Sequence, residues 1–265
     1  MKPTGATRVF AIIGDPIAQV RSPEVFNERF AARGIDAMMV PMHVPAAQFD
    51  AILPGLLGLA NLDGVLVTVP FKARMLPFAK RIGATARTIN AVNALRRDAD
   101  GAWSADMFDG AGFVRGAERK GQRIRDRRVA LFGAGGAGSA IACALAEAGA
   151  ASIAIVDPEA GKAAALVEKL RPAFPSCVLS VATRLPDRAD MIVNASPTGM
   201  KPGDGLPGDI GQLAPGTLVG DVVVLATPTA LIAHAQQSGC AWVDGKDMHA
   251  GQVDALLNFL VPGKG

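Results

Sequence analysis

Short apolar runs at 8–14, 38–44 and 64–69 predict three buried strands, and the stretches between them carry helical periodicity. Ser22 before Pro23 predicts an N-cap and a first helical residue, with Gly34 as the stop. Residues 45–57 predict a second helix and 70–80 a short third one. Weaker runs at 89–95 and 102–103 predict short strands around a turn at 98–101. A helix is predicted over 108–120, then a strand at 129–132 and a helix over 135–148, with Gly149 at its C′ position. Beyond it lie a strand at 151–157, a helix at 158–170 and short strands near 178–181, 191–194 and 218–223. The loop 197–215 is rich in glycine and proline. A helix at 229–237, a turn from Trp242 and an apolar helix over 248–260 end the pattern. Strands alternating with helices predict an α/β fold with a largely parallel sheet.

The most informative stretch follows the strand at 129–132. Gly133, Gly135 and Gly138 stand at G-x-G-x-x-G spacing, with Gly136 and Ala137 between them. The first glycine permits the tight turn, the second a close approach to a pyrophosphate, and the third close packing of helix on strand. The positive end of the helix that follows faces the anion. Asp157 ends the next strand 19 residues past Gly138. That is close to the spacing of about 20 at which an acid meets an adenosine ribose. A Rossmann-type dinucleotide domain is therefore expected from about residue 110. Residues 1–109 carry their own strand–helix alternation but no phosphate fingerprint, so they are expected to hold the substrate.

Composition narrows the class. Half the residues are hydrophobic and 19% are charged, enough for a sizeable core and unlike a disordered chain. No apolar run reaches about 18 residues, and no signal peptide is recognisable, so a cytoplasmic protein without a membrane partner is expected. Cys143, Cys177 and Cys240 form no C-x-x-C pair, so neither a structural metal nor a disulfide framework is expected. The net charge of +3 and the few aromatics do not mark a nucleic-acid binder. The densest basic run, Arg123, Arg125, Arg127 and Arg128 with Asp126 inside it, is expected to be a solvated linker face rather than a phosphate contact.

Lys72, Asn93 and Asp109 sit at strand or loop ends, where ligands of open α/β sheets bind. A lysine whose pKa is lowered can take the proton of an alcohol while hydride leaves the carbon, and a nearby carboxylate can orient it. Spacing alone does not join Lys72 to Asp109. The chain has no tyrosine, which excludes Tyr-x-x-x-Lys chemistry, and no Cys/His cluster at zinc-ligand spacing. His43, His234 and His249 are isolated. A hydride enzyme here must use Lys, Asp or His.

These residues resemble the shikimate and quinate dehydrogenases. The resemblance runs through Gly14-Asp15-Pro16-Ile17, Arg21-Ser22-Pro23, the segment from Val67 to Lys72, Ala91-Val92-Asn93, Asp109-Gly110 and the glycine turn. It continues through the segment from Asn194 to Met200, Asp221-Val222-Val223, Asp244-Gly245, Met248 and Gln252. It implies Lys72 and Asp109 as the catalytic pair, with Ser22, Thr68, Asn93 and Gln252 on a polyhydroxylated ring. It also implies cofactor contacts from the glycine turn, Asn194, Ser196 and Gly245. A C-terminal helix, within 246–265, is implied to pack back on the first lobe. The implied substrate is a small cyclic alcohol or ketone, in the setting of aromatic amino acid biosynthesis, for a monomer or homodimer.

Several positions depart from the family pattern. The usual Ser-x-Ser is Val20-Arg21-Ser22, an asparagine is replaced by Leu66, the Asn-Thr before Asp109 is Met107-Phe108, and a tyrosine is replaced by Val224. A carboxylate left unpaired in such a pocket costs several kcal/mol. The best substrate is therefore expected to be less polar than shikimate, unless Arg21 turns inward to hold a carboxylate. Asp157-Pro158-Glu159 replaces the Asn-Arg-Thr of NADP users, so NAD is expected, with NADP kept possible by Lys162. A catalytically weak homologue that binds nucleotide and metabolite to regulate a partner is the alternative, and a folate-linked dehydrogenase a weaker one.

Overall fold

The computed structural model describes residues 2–201 and 203–263. The chain divides into two units, Met1–Phe108 with Val253–Gly265, and Asp109–Gln252. Asp109 and residues 246–252, assigned above to the first lobe, thus fall in the second unit.

The first unit holds a six-stranded sheet of β1 (Arg8–Gly14), β2 (Ala37–His43), β3 (Leu62–Val67), β4 (Arg81–Ile82), β5 (Ala94–Arg97) and β6 (Trp103–Asp106). The strand order is β2-β1-β3-β5-β6-β4. β1 runs parallel to β2 and β3, whereas β5 is antiparallel to β3 and to β6. β5 and β6 are antiparallel because the turn at 98–101, closed by Gly101 N–H on Asp98 C=O, is too short for a parallel crossover.

Helices α1 (Ser22–Ala32), α2 (Phe49–Leu57) and α3 (Ala84–Ile89) complete this unit. Ser22 is not the N-cap: Arg21 takes that place without a side-chain cap, and Pro23 sits in the first turn. Packing holds the helix instead. Phe26 and Phe30, one turn apart, are fully buried, and the Phe30 ring lies 5.1 Å from Phe10 of β1. Two such rings contribute about 2 kcal/mol each, against about 1 kcal/mol for a cap. The helix expected over 70–80 does not form; a single 3-10 turn at Leu76–Phe78 replaces it. Pro77 has no N–H and clashes with the preceding turn, which stops propagation. The strand expected over 89–95 shrinks to β5, because α3 runs to Ile89 and ends on Asn90 with a left-handed φ of 58°.

The second unit holds β7 (Arg128–Phe132), β8 (Ser152–Val156), β9 (Val178–Ala182), β10 (Met191–Asn194), β11 (Leu218–Asp221) and β12 (Ala241–Val243). All pairs are parallel, in the order β12-β11-β10-β7-β8-β9. Its helices are α4 (Asp109–Arg119), α5 (Gly136–Glu147), α6 (Ala160–Leu170), α7 (Ala230–Gln237) and the part of α8 (Gly245–Leu260) that precedes Val253. Trp242 lies in a strand rather than a turn, paired with Val219. The order reverses between β7 and β10, which opens a crevice outside their carboxyl ends.

α8 is shared by the two units. Its last turns supply Leu256, Leu257 and Leu260 to the first unit's core, beside Phe10, Ile12, Phe26, Phe30 and Leu66. Arg96 of β5 donates to the Phe259 carbonyl at 3.0 Å and stacks over its ring. Among the described residues no helix is long and apolar enough to cross a membrane.

Candidate active site

The glycine turn leaves β7 at the crevice. Gly133 adopts φ 99°, and a Cβ on Gly138 would meet the Gly133 carbonyl oxygen at 2.0 Å, so only glycine permits this closeness. Gly135 is the N-cap of α5 and offers no side-chain cap. Space around it is open, as a backbone approach to a ligand requires. Gly136 and Ala137 form the half-buried first turn of α5. An uncapped helix start with open space beside it has the backbone donors that a pyrophosphate would need.

Asp157 follows β8 and grips the turn. Its Oδ2 accepts from the Ala134 N–H at 2.8 Å and its Oδ1 from the Glu159 N–H at 2.9 Å. Lys162 is paired with Glu159 at 2.6 Å, and Glu159, with a further contribution from Asp157, holds its pKa above the ordinary lysine value.

At the end of β10, Asn194 donates through Nδ2 to the Thr198 carbonyl at 2.9 Å and to Asp221 Oδ1 at 3.0 Å. Its Oδ1 accepts from the Ser196 hydroxyl at 2.6 Å and the Ser196 N–H at 3.1 Å. Asp221 also accepts from the Val223 N–H and from the hydroxyl of Thr229, the N-cap of α7. Asp221 is 1% exposed, and burial pushes its carboxyl pKa up against these hydrogen bonds. Asn194 and Ser196 therefore shape the turn beside Gly133, whose missing Cβ would strike the Ala195 and Ser196 backbone. Gly245 opens α8 against the backbone of Val222 and Val223. Sequence reasoning missed the Asp221–Thr229 pair; its signal is an acid ending an apolar strand.

In the first unit, backbone hydrogen bonds gather three expected residues at one sheet edge. Val67 N–H donates to Asn93 C=O at 2.8 Å, Val92 N–H to Lys72 C=O at 2.9 Å and Thr68 N–H to Ile13 C=O at 3.0 Å. Thr68 presses on Gly14, where a Cβ would meet its methyl at 2.4 Å. Asn93 Oδ1 accepts from the Phe108 N–H at 2.9 Å, which fixes Nδ2 as the donor end of the amide. Ser22, 6% exposed, opens α1 beside this edge's 14–21 loop. The edge also joins His43, which stands isolated in the sequence, to Asp15. His43 Nε2 lies 2.9 Å from Asp15 Oδ1, and Asp15 Oδ2 accepts from Ala46 N–H. These bonds, His43 first, hold the Asp15 carboxyl below the usual carboxylate range.

Val20 and Phe108 pack as half-buried residues on the same apolar cluster as Leu66, together with Ile17 and Phe259. Arg21 is turned outward, paired with Glu24 at 2.6 Å.

Asp109 and Gln252 belong to the second unit, and both are buried. Asp109 starts α4, and one turn later Gly112 meets α8: a Cβ there would stand 2.7 Å from Gln252 Cβ. Among the described residues no group of three or more His, Cys, Asp or Glu could hold a metal.

Comparison with known proteins gives the family. The chain is 35% identical over 251 residues to the shikimate dehydrogenase (NADP(+)) of Rubrobacter xylanophilus, covering 92% of this chain and 87% of that one. The chain belongs to the shikimate/quinate dehydrogenase family. The family's model for the shikimate dehydrogenase substrate binding domain matches residues 12–95, and a ThiF family model matches 112–160. The shikimate dehydrogenase of Listeria monocytogenes in complex with shikimate and NAD superposes with a TM-score of 0.87 at 27% identity, covering 98% of this chain and 93% of that one. The 5-ketofructose reductase of Gluconobacter sp. strain CHM43 superposes with a TM-score of 0.83 at 26% identity, covering 96% and 93%. As a shikimate dehydrogenase family member the protein is an oxidoreductase that acts on CH–OH groups with a nicotinamide cofactor. The regulatory alternative is not favoured.

Proposed function

We propose that this shikimate dehydrogenase homologue oxidises, reversibly, a ring hydroxyl of a cyclic alcohol that lacks a carboxylate, with NAD preferred. In this reading residues 1–109 and 246–265 serve the substrate and 110–245 the nucleotide. Lys72 Nζ takes the hydroxyl proton on oxidation and returns it on reduction, and Asp109 orients it. Thr68 and the Nδ2 end of Asn93 hold ring hydroxyls, aided by Ser22 and Gln252. Nicotinamide, when bound, accepts or supplies the hydride. The observation that carries the reading is the backbone pattern that gathers Thr68, Lys72 and Asn93 at one sheet edge.

Two further observations support its finer parts. Val20, Leu66 and Phe108 join one apolar cluster, and Arg21 is engaged by Glu24, so a carboxylate there lacks a cation. The neighbouring 5-ketofructose reductase is named for a substrate without a carboxylate. At the cofactor corner, Asp157 and Glu159 outnumber Lys162, which repels a 2′-phosphate and suits a 2′-hydroxyl.

Steady-state rates on shikimate, quinate and neutral ring alcohols, each with NAD and NADP, test this. The neutral alcohols are expected to give the highest kcat/KM, and NAD to exceed NADP; efficient NADP-linked shikimate turnover overturns both parts. Asp157→Asn keeps an acceptor for the Ala134 N–H but removes the charge. It is expected to shift the NADP/NAD ratio of kcat/KM about tenfold toward NADP.

A further inference from the structure

The arginine run before β7 lies at the surface, as a linker face would: Arg123, Arg125 and Arg128 are exposed and Arg127 is half-buried. Between α4 and β7 the chain borders an open surface cleft of about 430 Å³ lined by Arg123, Arg125, Asp126, Arg127, Asp190 and Gly216. Asp190 and Gly216 precede β10 and β11, so the cleft lies at the amino edge of the parallel sheet. The glycine turn lies at the carboxyl edge. The five residues of β7 separate the two by about 16 Å.

The cleft wall is built rather than loose. Arg127 donates through Nε to the Arg123 carbonyl at 2.6 Å, through Nη1 to the Asp190 carbonyl at 2.9 Å and through Nη2 to Gln122 Oε1 at 3.4 Å. Asp126 holds a left-handed φ of 66° and donates its N–H to the Gly149 carbonyl. The guanidinium of Arg125 lies against Gly149, where a Cβ would stand 3.4 Å from Nη1. The Asp190 carboxylate is occupied by Arg128, at 2.8 and 2.7 Å, and this pairing holds its pKa at about 2. Among the described residues Arg123, Arg125 and Arg127 enter no ion pair, and Asp126 is the one acid of the lining not already matched. An open hollow with a surplus of planar guanidinium groups offers paired N–H donors of the kind that meet the oxygens of a phosphate group.

We propose that this cleft binds a phosphate group carried by a small molecule, at a site separate from the nucleotide crevice. Isothermal titration of the full chain, with saturating NADH and at fixed ionic strength, tests it with inorganic phosphate, pyrophosphate and glucose 6-phosphate as probes. Saturable binding of one equivalent is expected. It should weaken at least tenfold in Arg123→Ala/Arg125→Ala, whose melting temperature and basal turnover should match the parent. Glucose 6-phosphate binding more tightly than inorganic phosphate assigns the site to a phosphate ester. Binding of inorganic phosphate alone, displacement by NADH, equal binding by the variant, or no saturable binding overturns the proposal.

Discussion

Lys72→Ala is expected to lower kcat by about 10²- to 10⁴-fold, the range for loss of a positioned acid/base, while the dissociation constant of the nucleotide stays unchanged. Lys72 stands in the turn after β3. Its carbonyl is tied to Val92, and the preceding Phe71 is fully buried, stacked 4.5 Å from Phe49. The backbone of this turn does not depend on the lysine side chain, so the variant should fold. The nucleotide turn is built from the second unit alone, at Gly133, Gly138 and Asp157. The loss should therefore appear in the proton-transfer step and not in cofactor affinity. Lys72→Arg keeps the charge, but a guanidinium stays protonated and cannot exchange a proton at neutral pH. It should fail as well. Pre-steady-state absorbance at 340 nm with a fluorescence titration of NADH separates the two quantities. Retained turnover in Lys72→Ala removes the lysine from its assigned role.

Asp221→Ala is expected to destabilise the second unit by about 3 kcal/mol, because three donors that now meet the carboxylate are left inside the protein. For a domain of this size that lowers the melting temperature by roughly 10 °C. Cofactor affinity should fall with it, since Asn194 and the Ser196 turn lose their anchor. Asp221→Asn keeps one acceptor and isolates the titration. Burial raises the Asp221 pKa above the 3.8 of a free aspartate, so the folded chain binds this proton more tightly than the unfolded chain does. Stability from this group is therefore present at low pH and declines as pH rises from about 3.8 through the raised value. Urea unfolding of parent and Asp221→Asn across that interval should show the decline in the parent alone. Parallel curves would assign the titration elsewhere.

The elements legible in the sequence were those whose cause is local. The apolar runs of β1, β7, β8 and β10 and the helix α5, closed at Gly149, emerge within a residue or two of expectation. So does the glycine turn, because its turn, helix start and acid lie on consecutive elements. The segments misjudged were those where neighbours outvote pattern. The run 70–80 has helical periodicity, but Pro77 interrupts it. The run 89–95 is apolar enough for a strand, but α3 claims its beginning and Asn90 turns the chain. Within the candidate site, Thr68, Lys72 and Asn93 meet only because β1, β3 and β5 are adjacent, which no spacing rule contains. The Asp15–His43 and Asp221–Asn194 contacts join residues 28 and 27 positions apart, so they belong to strand order and not to motif.

The contribution of Leu256, Leu257 and Leu260 to the first unit's core has a consequence for biosynthesis. The nascent chain completes residues 1–108 early, yet the apolar surface of Phe10, Phe26, Phe30 and Leu66 lacks its final cover until the C-terminal turns of α8 leave the ribosome. At about 5–20 residues per second, the intervening segment takes on the order of ten seconds or more to make. During that interval the apolar face of the N-terminal unit lacks the three leucines that complete its core.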